Sequence, residues 1–392
     1  MTLMRVTGYS HPLMRNSSKG AATGSAFLSM FFLGTGVAIV GATAQAVGLS
    51  ASQIGYLIAA QNIGFGVAVV WAGALSDLYP KPVILTAGLA VLAVSFALLY
   101  RAGGFGLNLA VMFLMGAGMG GVEAVTDAML LDMHTRNESR YVTINHFFVS
   151  VGMVSITVYL MMLELNWRAS LTQVAVAVGA LAVIVAFIRP PSRRGASSGA
   201  QIVRELTSDA GILLMFCAGA GAIGLGAGVT GVITTYATQV RSMNVESAQI
   251  ALALFLVGLA AGRILIGALA RHTRPARIAT VACALAFVCS VVLFLTPVSG
   301  PVLMALAAVL GFCVAPLLPL TIATAGLRYR HAAGAAMGMV KLAIPVGGIV
   351  FPGLLGLITD LVSFEAALYL LPASALLFLV ATGLGAQRRT AI

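Results

Sequence analysis

The sequence predicts an all-α membrane protein: twelve transmembrane helices arranged as two pseudo-symmetric six-helix bundles, with both termini cytoplasmic. Three observations carry this. Of 392 residues, 60% are hydrophobic and only 8% are charged, whereas soluble domains carry about 25% charged residues. Twelve separate windows hold the roughly 20 apolar residues needed to cross about 30 Å of hydrocarbon. The two halves of the chain also align with each other.

Residues 1–21 are polar, with Arg5, Arg15 and Lys19, and read as a cytoplasmic segment. The first apolar run, 22–46, is too long for a signal-peptide core and no small-residue cleavage pattern follows it, so it is a retained helix. The N-terminal bundle, 22–188, continues with runs at 53–76, 83–101, 107–131, 142–163 and 168–188. The stretch "RPPSRRGASSGAQIVRELTSD", 189–209, is rich in Pro, Ser, Gly and Arg and reads as a cytoplasmic linker. The C-terminal bundle, 210–387, holds runs at 210–236, 247–270, 277–296, 300–326, 334–359 and 364–387, and a short tail, 388–392, follows. Several runs contain Gly and Pro, which membrane helices tolerate.

Basic residues set the orientation, because cytoplasmic loops carry an excess of Lys and Arg. Most of the 22 Lys and Arg fall on one side: the N-terminal segment, Lys81, Arg136, Arg140, the linker, Arg271, Arg274, Arg277, Arg328, Arg330, Arg388 and Arg389. Arg101, Arg168 and Arg241 fall on the other. The net charge of +11 is therefore an orientation signal and implies no nucleic-acid partner. The four cysteines lie in apolar runs without CxxC spacing and read as small buried hydrophobes. No HExxH, GxxxxGK[ST] or GxSxG occurs, so neither an enzyme, a cofactor nor a metal site is expected.

The internal repeat is visible in "GALSDLYPKPVILTAGLAVLAV" from Gly73 and "GALARHTRPARIATVACALAFV" from Gly267, 194 residues later. Gly64 falls on Gly258 at the same offset, and Gly152 on Gly347 at 195. The offset of 195 also places His146 on Lys341.

Ionisable residues inside spans are functional hypotheses, since each costs at least about 2.5 kcal/mol at a helix centre. Lys341, in "AAMGMVKLAIPVGG", has no acid within ten residues on either side, and Pro345 loosens the helix behind it. It reads as an anion-binding or charge-switch residue, or as half of an ion pair with Glu123 or another acid. Arg263 can grip a carboxylate bidentately, or latch helices near the inner gate. Glu123 and Asp127 are four apart and share a helix face. Glu123 suits a proton carrier or a standing salt bridge with Arg263 or Lys341; Asp127, nearer the interface, reads as structural or as a second coupling acid. Asn145 and His146 open the fifth span, as substrate contacts or as packing residues.

"GALSDLYPK", between the second and third spans, resembles the signature of the major facilitator superfamily, with Gly73, Asp77 and Lys81 in register and Leu78 and Pro80 departing from it. The resemblance covers nearly the whole chain. It implies a secondary transporter working by alternating access, with Gly73, Asp77, Lys81 and the repeated Gly267 at the inner gate. "FLMGAGMGGVEAVTDAML" with "INHFFVSVGM" is similar to fucose–proton symporter-like permeases, which implies proton coupling at Glu123 and substrate contact at Asn145. "GLAAGRILIGALA" with "MGMVKLAIPVGG" is similar to monocarboxylate and oxalate–formate carriers, which implies carboxylate binding by Arg263 and Lys341. The expected function is proton-coupled transport of a small organic anion by a monomer in the cell's cytoplasmic (inner) membrane. A proton-coupled sugar or polyol permease and a drug/proton antiporter are the alternatives.

Overall fold

A computed structural model describes residues 12–101, 103–134, 138–163, 166–188, 208–269, 275–329 and 333–390. They are α-helical almost throughout: α1 (Pro12–Val47), α2 (Ala51–Leu78), α3 (Lys81–Leu98), α4 (Phe105–Met133), α5 (Glu138–Met162), α6 (Trp167–Ala186), α7 (Ala210–Thr235), α8 (Val245–Leu269), α9 (Pro275–Leu295), α10 (Gly300–Val314), α11 (Leu317–Arg328), α12 (Ala333–Lys341), α13 (Ala343–Leu361), α14 (Phe364–Leu368) and α15 (Leu370–Thr390). Among the described residues they supply twelve segments long and apolar enough to span a membrane. The expected linker lies almost entirely outside the described residues. Its last residue, Asp209, caps α7 by accepting the Gly211 N–H at 2.5 Å.

Two spans that read as continuous are broken, and proline explains both. Pro316 and Pro319 cannot donate to the carbonyls four residues back, so the tenth span divides into α10 and α11. Pro345 likewise cannot bond the Lys341 carbonyl, so the eleventh divides into α12 and α13 at Leu342. The Leu342 N–H turns back to Gly338 and Met339 at 3.3 and 3.2 Å instead. Lys341 thus ends a short helix.

The repeat is physical. A methyl group on Gly64 would lie 1.9 Å from the Phe113 carbonyl oxygen, and one on Gly116 would lie 1.7 Å from that of Gln61. The same crossing recurs between α8 and α10: Gly258 meets the Ala308 carbonyl at 2.1 Å and Gly311 that of Phe255 at 2.0 Å. All four positions match at offsets of 194 or 195. Only glycine lets the backbones approach this closely, as small residues do at membrane helix interfaces. Gly116→Ala and Gly311→Ala should therefore each destabilise the fold by about 1–3 kcal/mol, read as a lower melting temperature in detergent. Gly24→Ala, where an added methyl meets nothing within 4 Å, should not.

The halves meet where α2 runs along α13, α5 along α8 and α1 along α7. At the end assigned to the outside, hydrogen bonds cross between them. Thr234 Oγ1 donates to the Gly41 carbonyl (3.1 Å), Gln45 to Thr235 Oγ1 (3.2 Å), Gln249 to the Ala42 carbonyl (2.9 Å) and the Tyr56 hydroxyl to Asp360 (2.7 Å). This end is closed. At the other end α11, α12 and the start of α7 enclose a small core of their own, formed by Ile212, Ala325, Tyr329, Ala336 and Val340. Asp209 ties into it. Burial pushes its carboxyl up, but the Tyr329 hydroxyl, the Gly211 and Ile212 N–H groups and Arg328 outweigh that and hold it below the usual range. Its stabilising contribution is present above the ordinary carboxylate range and is lost as pH falls through the lowered value.

The Tyr56–Asp360 bond gives a test of the outer closure. Tyr56→Phe removes the donor and should let the outer end open more often. A cysteine at Gln249, in a chain whose four native cysteines are serine, should then react severalfold faster with a membrane-impermeant thiol reagent. An unchanged rate would show that this bond does not hold the gate.

Candidate functional site

The site is built around one carboxylate. Asp127, on α4, is nearly buried, with 12% of its side chain exposed. Its Oδ1 accepts from Asn145 Nδ2 at 3.0 Å, and its Oδ2 receives both His146 Nε2 and Lys341 Nζ at 3.0 Å. Asn145 also reaches Thr126 Oγ1 at 3.3 Å. The two residues that the repeat pairs, His146 on α5 and Lys341 on α12, thus converge on a single oxygen. That convergence joins the two halves of the molecule near its middle.

The break behind Lys341 explains how its charge is tolerated. As the last residue of the nine-residue α12, Lys341 sits where the helix dipole is negative and cations are favoured. About 12 Å of helix separates it from the α12 start, too far for easy snorkelling to the inner surface. Lys341 keeps 37% of its side chain exposed and His146 keeps 35%, so both remain reachable while bonded to Asp127.

The remaining candidates distribute around this centre. Glu123 lies one turn from Asp127 and approaches His146 Nε2 at 3.9 Å. Among the described residues nothing hydrogen-bonds to it, although Arg263 and Lys341 are within its electrostatic reach. Arg263 reaches from α8 to α5, donating Nη1 to the His146 carbonyl (3.1 Å) and to Ser150 Oγ (2.6 Å). It holds the backbone of the residue whose ring holds Asp127. Donor atoms of Glu123, Asp127 and His146 lie within 4.8 Å of one another, a spacing one cation can bridge; the Lys341 ammonium occupies that role at Asp127.

Lys81 forms an ion pair with Asp132 at the inner end of α4. Gly73 and Asp77 fall in the last turns of α2 and Gly267 near the end of α8, but their surroundings lie outside the described residues. His134, which a loop position would leave solvated, is instead stacked on Tyr141 at 3.5 Å and bonded to Thr23 Oγ1 at 2.8 Å. Desolvation and the nearby Lys19 charge hold its pKa below the ordinary histidine value. Sequence reasoning missed Thr126, Ser150 and Asp132. Each is polar at an unremarkable spacing, and its contact with the site or with a neighbouring charge forms only when a second helix approaches.

Twelve spans, a repeated glycine crossing and a charged cluster between two halves define a polytopic membrane transporter. The chain belongs to the major facilitator superfamily: the family profile matches residues 22–302. A crystal structure of a mutant of the nucleoside transporter NupG superposes with a TM-score of 0.77 at 10% identity, covering 94% of this chain and 99% of that one. A bacterial homologue of the human lysosomal transporter Spinster, in an inward-facing and occupied conformation, gives 0.69 at 15% identity, covering 98% of each chain. No curated protein matches the sequence. Identities this low establish the fold, and the family makes the protein a secondary transporter of small molecules rather than an enzyme.

Proposed function

We propose that the protein carries a small organic anion together with a proton, by alternating access, as a monomer in the cell's inner membrane. The observation that carries this is the pairing of Lys341 with Asp127, on opposite halves, at 3.0 Å. An anion entering between the halves competes with Asp127 for an exposed ammonium. A carboxylate has the charge and the acceptor geometry to do so, whereas a neutral solute does not. Arg263, with one nitrogen committed to α5, has further donors for the same anion. Glu123, which has no hydrogen bond among the described residues, is the acid that would give up fewest contacts on accepting a proton. Asp127, already bonded by three side chains, is the switch that holds Lys341 when the site is empty.

A sugar or polyol permease is the second reading. Asn145 favours it, since its buried Oδ1 accepts no hydrogen bond among the described residues. Uptake into proteoliposomes under an imposed pH gradient separates the readings, with a panel of organic acids set against a panel of sugars. The acids should accumulate when the outside is acidic. Accumulation of sugars alone, unaffected by Lys341→Gln, would sink the anion reading.

A further inference from the structure

Four rings form a parallel column beside the charged site. His134 lies 3.5 Å from Tyr141 at 14°, Tyr141 lies 6.4 Å from Phe27 at 15°, and Phe27 lies 5.1 Å from Phe148 at 8°. Edge-to-face contacts are common among packed aromatic rings, so four near-parallel planes in sequence are specific to this place. The column starts at the inner end of α4 and climbs between α1 and α5. Tyr141, Asn145 and Phe148 share one face of α5 by their spacing of four and three. Asn145, between the two rings, is bonded to Asp127. Phe27, facing both rings from α1, therefore sits level with the carboxylate that holds Lys341.

One edge of the column is open. Phe27, Tyr141 and Phe148 are each partly exposed. On α1 beside Phe27, methyl groups at Gly20 and Gly24 would meet nothing within 4 Å, and Leu28 is 42% exposed. Helix α1 packs against α2, α4, α5 and α6 of its own half and against α7 and α8 of the other, so it lies along the seam between the halves.

We infer that the transported anion bears a planar aromatic or heteroaromatic ring, which lies against this column while its acidic group meets Lys341. Ring edges carry positive charge and ring faces negative charge, so a column open along its edges attracts the face of a further ring. A saturated ring of the same size gains only the area term. This deepens the proposal of an organic anion carrier and rests on it.

The test uses equilibrium binding to the purified full-length protein in detergent, measured by calorimetry, with benzoate and cyclohexanecarboxylate as probes. They match in carbon number and charge, and binding avoids the passive leak of weak acids through liposomes. Benzoate should bind about threefold to tenfold more tightly, the equivalent of an aromatic pair. Phe27→Leu should bring that ratio towards one, and Phe148→Leu, an independent variant should the first fail to fold, should do the same. Lys341→Gln should weaken both probes together. Equal affinities in the native protein, or a ratio unchanged in both leucine variants, would overturn the inference and leave the anion reading standing. If neither probe binds while acids of the uptake panel do, the aromatic inference alone fails; if no acid binds at all, both fail.

Discussion

Lys341→Gln is expected to lower organic-anion uptake by about 100-fold or more, while the protein remains folded. The loss follows from removing the ammonium that an anion must capture; a charge-assisted contact of roughly 3 kcal/mol corresponds to about two orders of magnitude in affinity. The fold survives because Asp127 keeps two partners, His146 and Asn145, each at 3.0 Å. Melting temperature in detergent should stay close to that of the native protein. The reverse change behaves differently. Asp127→Asn leaves Lys341 in the membrane without its hydrogen-bonded counter-charge, with only Glu123 in electrostatic reach, and should destabilise the protein by about 1–2 kcal/mol. That is less than the roughly 3–5 kcal/mol of a fully buried pair, because Lys341 is 37% exposed. Adding Lys341→Gln to Asp127→Asn should restore stability but not uptake. If both single variants transport acids normally, the ion pair between the halves is structural and the anion site lies elsewhere.

Glu123→Gln is expected to separate binding from coupling. Glutamine resembles the protonated acid, so the substrate still meets Lys341, but no proton travels with it. For one proton per anion, each pH unit across the membrane drives about tenfold accumulation. In the variant that ratio should fall to one, whereas exchange of labelled for unlabelled substrate should persist. Accumulation that still follows the pH gradient would move the coupling role to Asp127 or His146. Glu123 is the stronger choice because among the described residues it has no hydrogen bond to surrender. The interactions of Asp127 would all have to be replaced on protonation.

Much of this was legible in one dimension, for reasons that can be named. Apolar run length, basic-loop bias and the 194-residue repeat are local or additive properties, and a bilayer leaves a chain with such runs little choice but helices. Gly64, Gly116, Gly258 and Gly311 show why the repeat could be trusted: backbone contacts below 2.2 Å to a hypothetical methyl admit no other residue. Pro345 also announced the break that makes Lys341 a helix terminus.

The sequence by itself determined the class of protein, the number of spans and which buried charges needed partners. Only the tertiary structure decided the partners. Lys341 pairs with Asp127, 214 residues away along the chain, rather than with Glu123. Lys81 finds Asp132, and Arg263 gives its hydrogen bonds to a carbonyl and a hydroxyl, with Glu123 in electrostatic reach only. Helical periodicity fixes which face a side chain occupies, but not the rotation and depth of the helix opposite. Those follow from glycine-by-glycine packing across the whole bundle. An ion pair depends on atoms within about 4 Å, and Glu123 and Asp127 are one helical turn, about 5.4 Å, apart, so an uncertainty of one turn in depth is enough to exchange them.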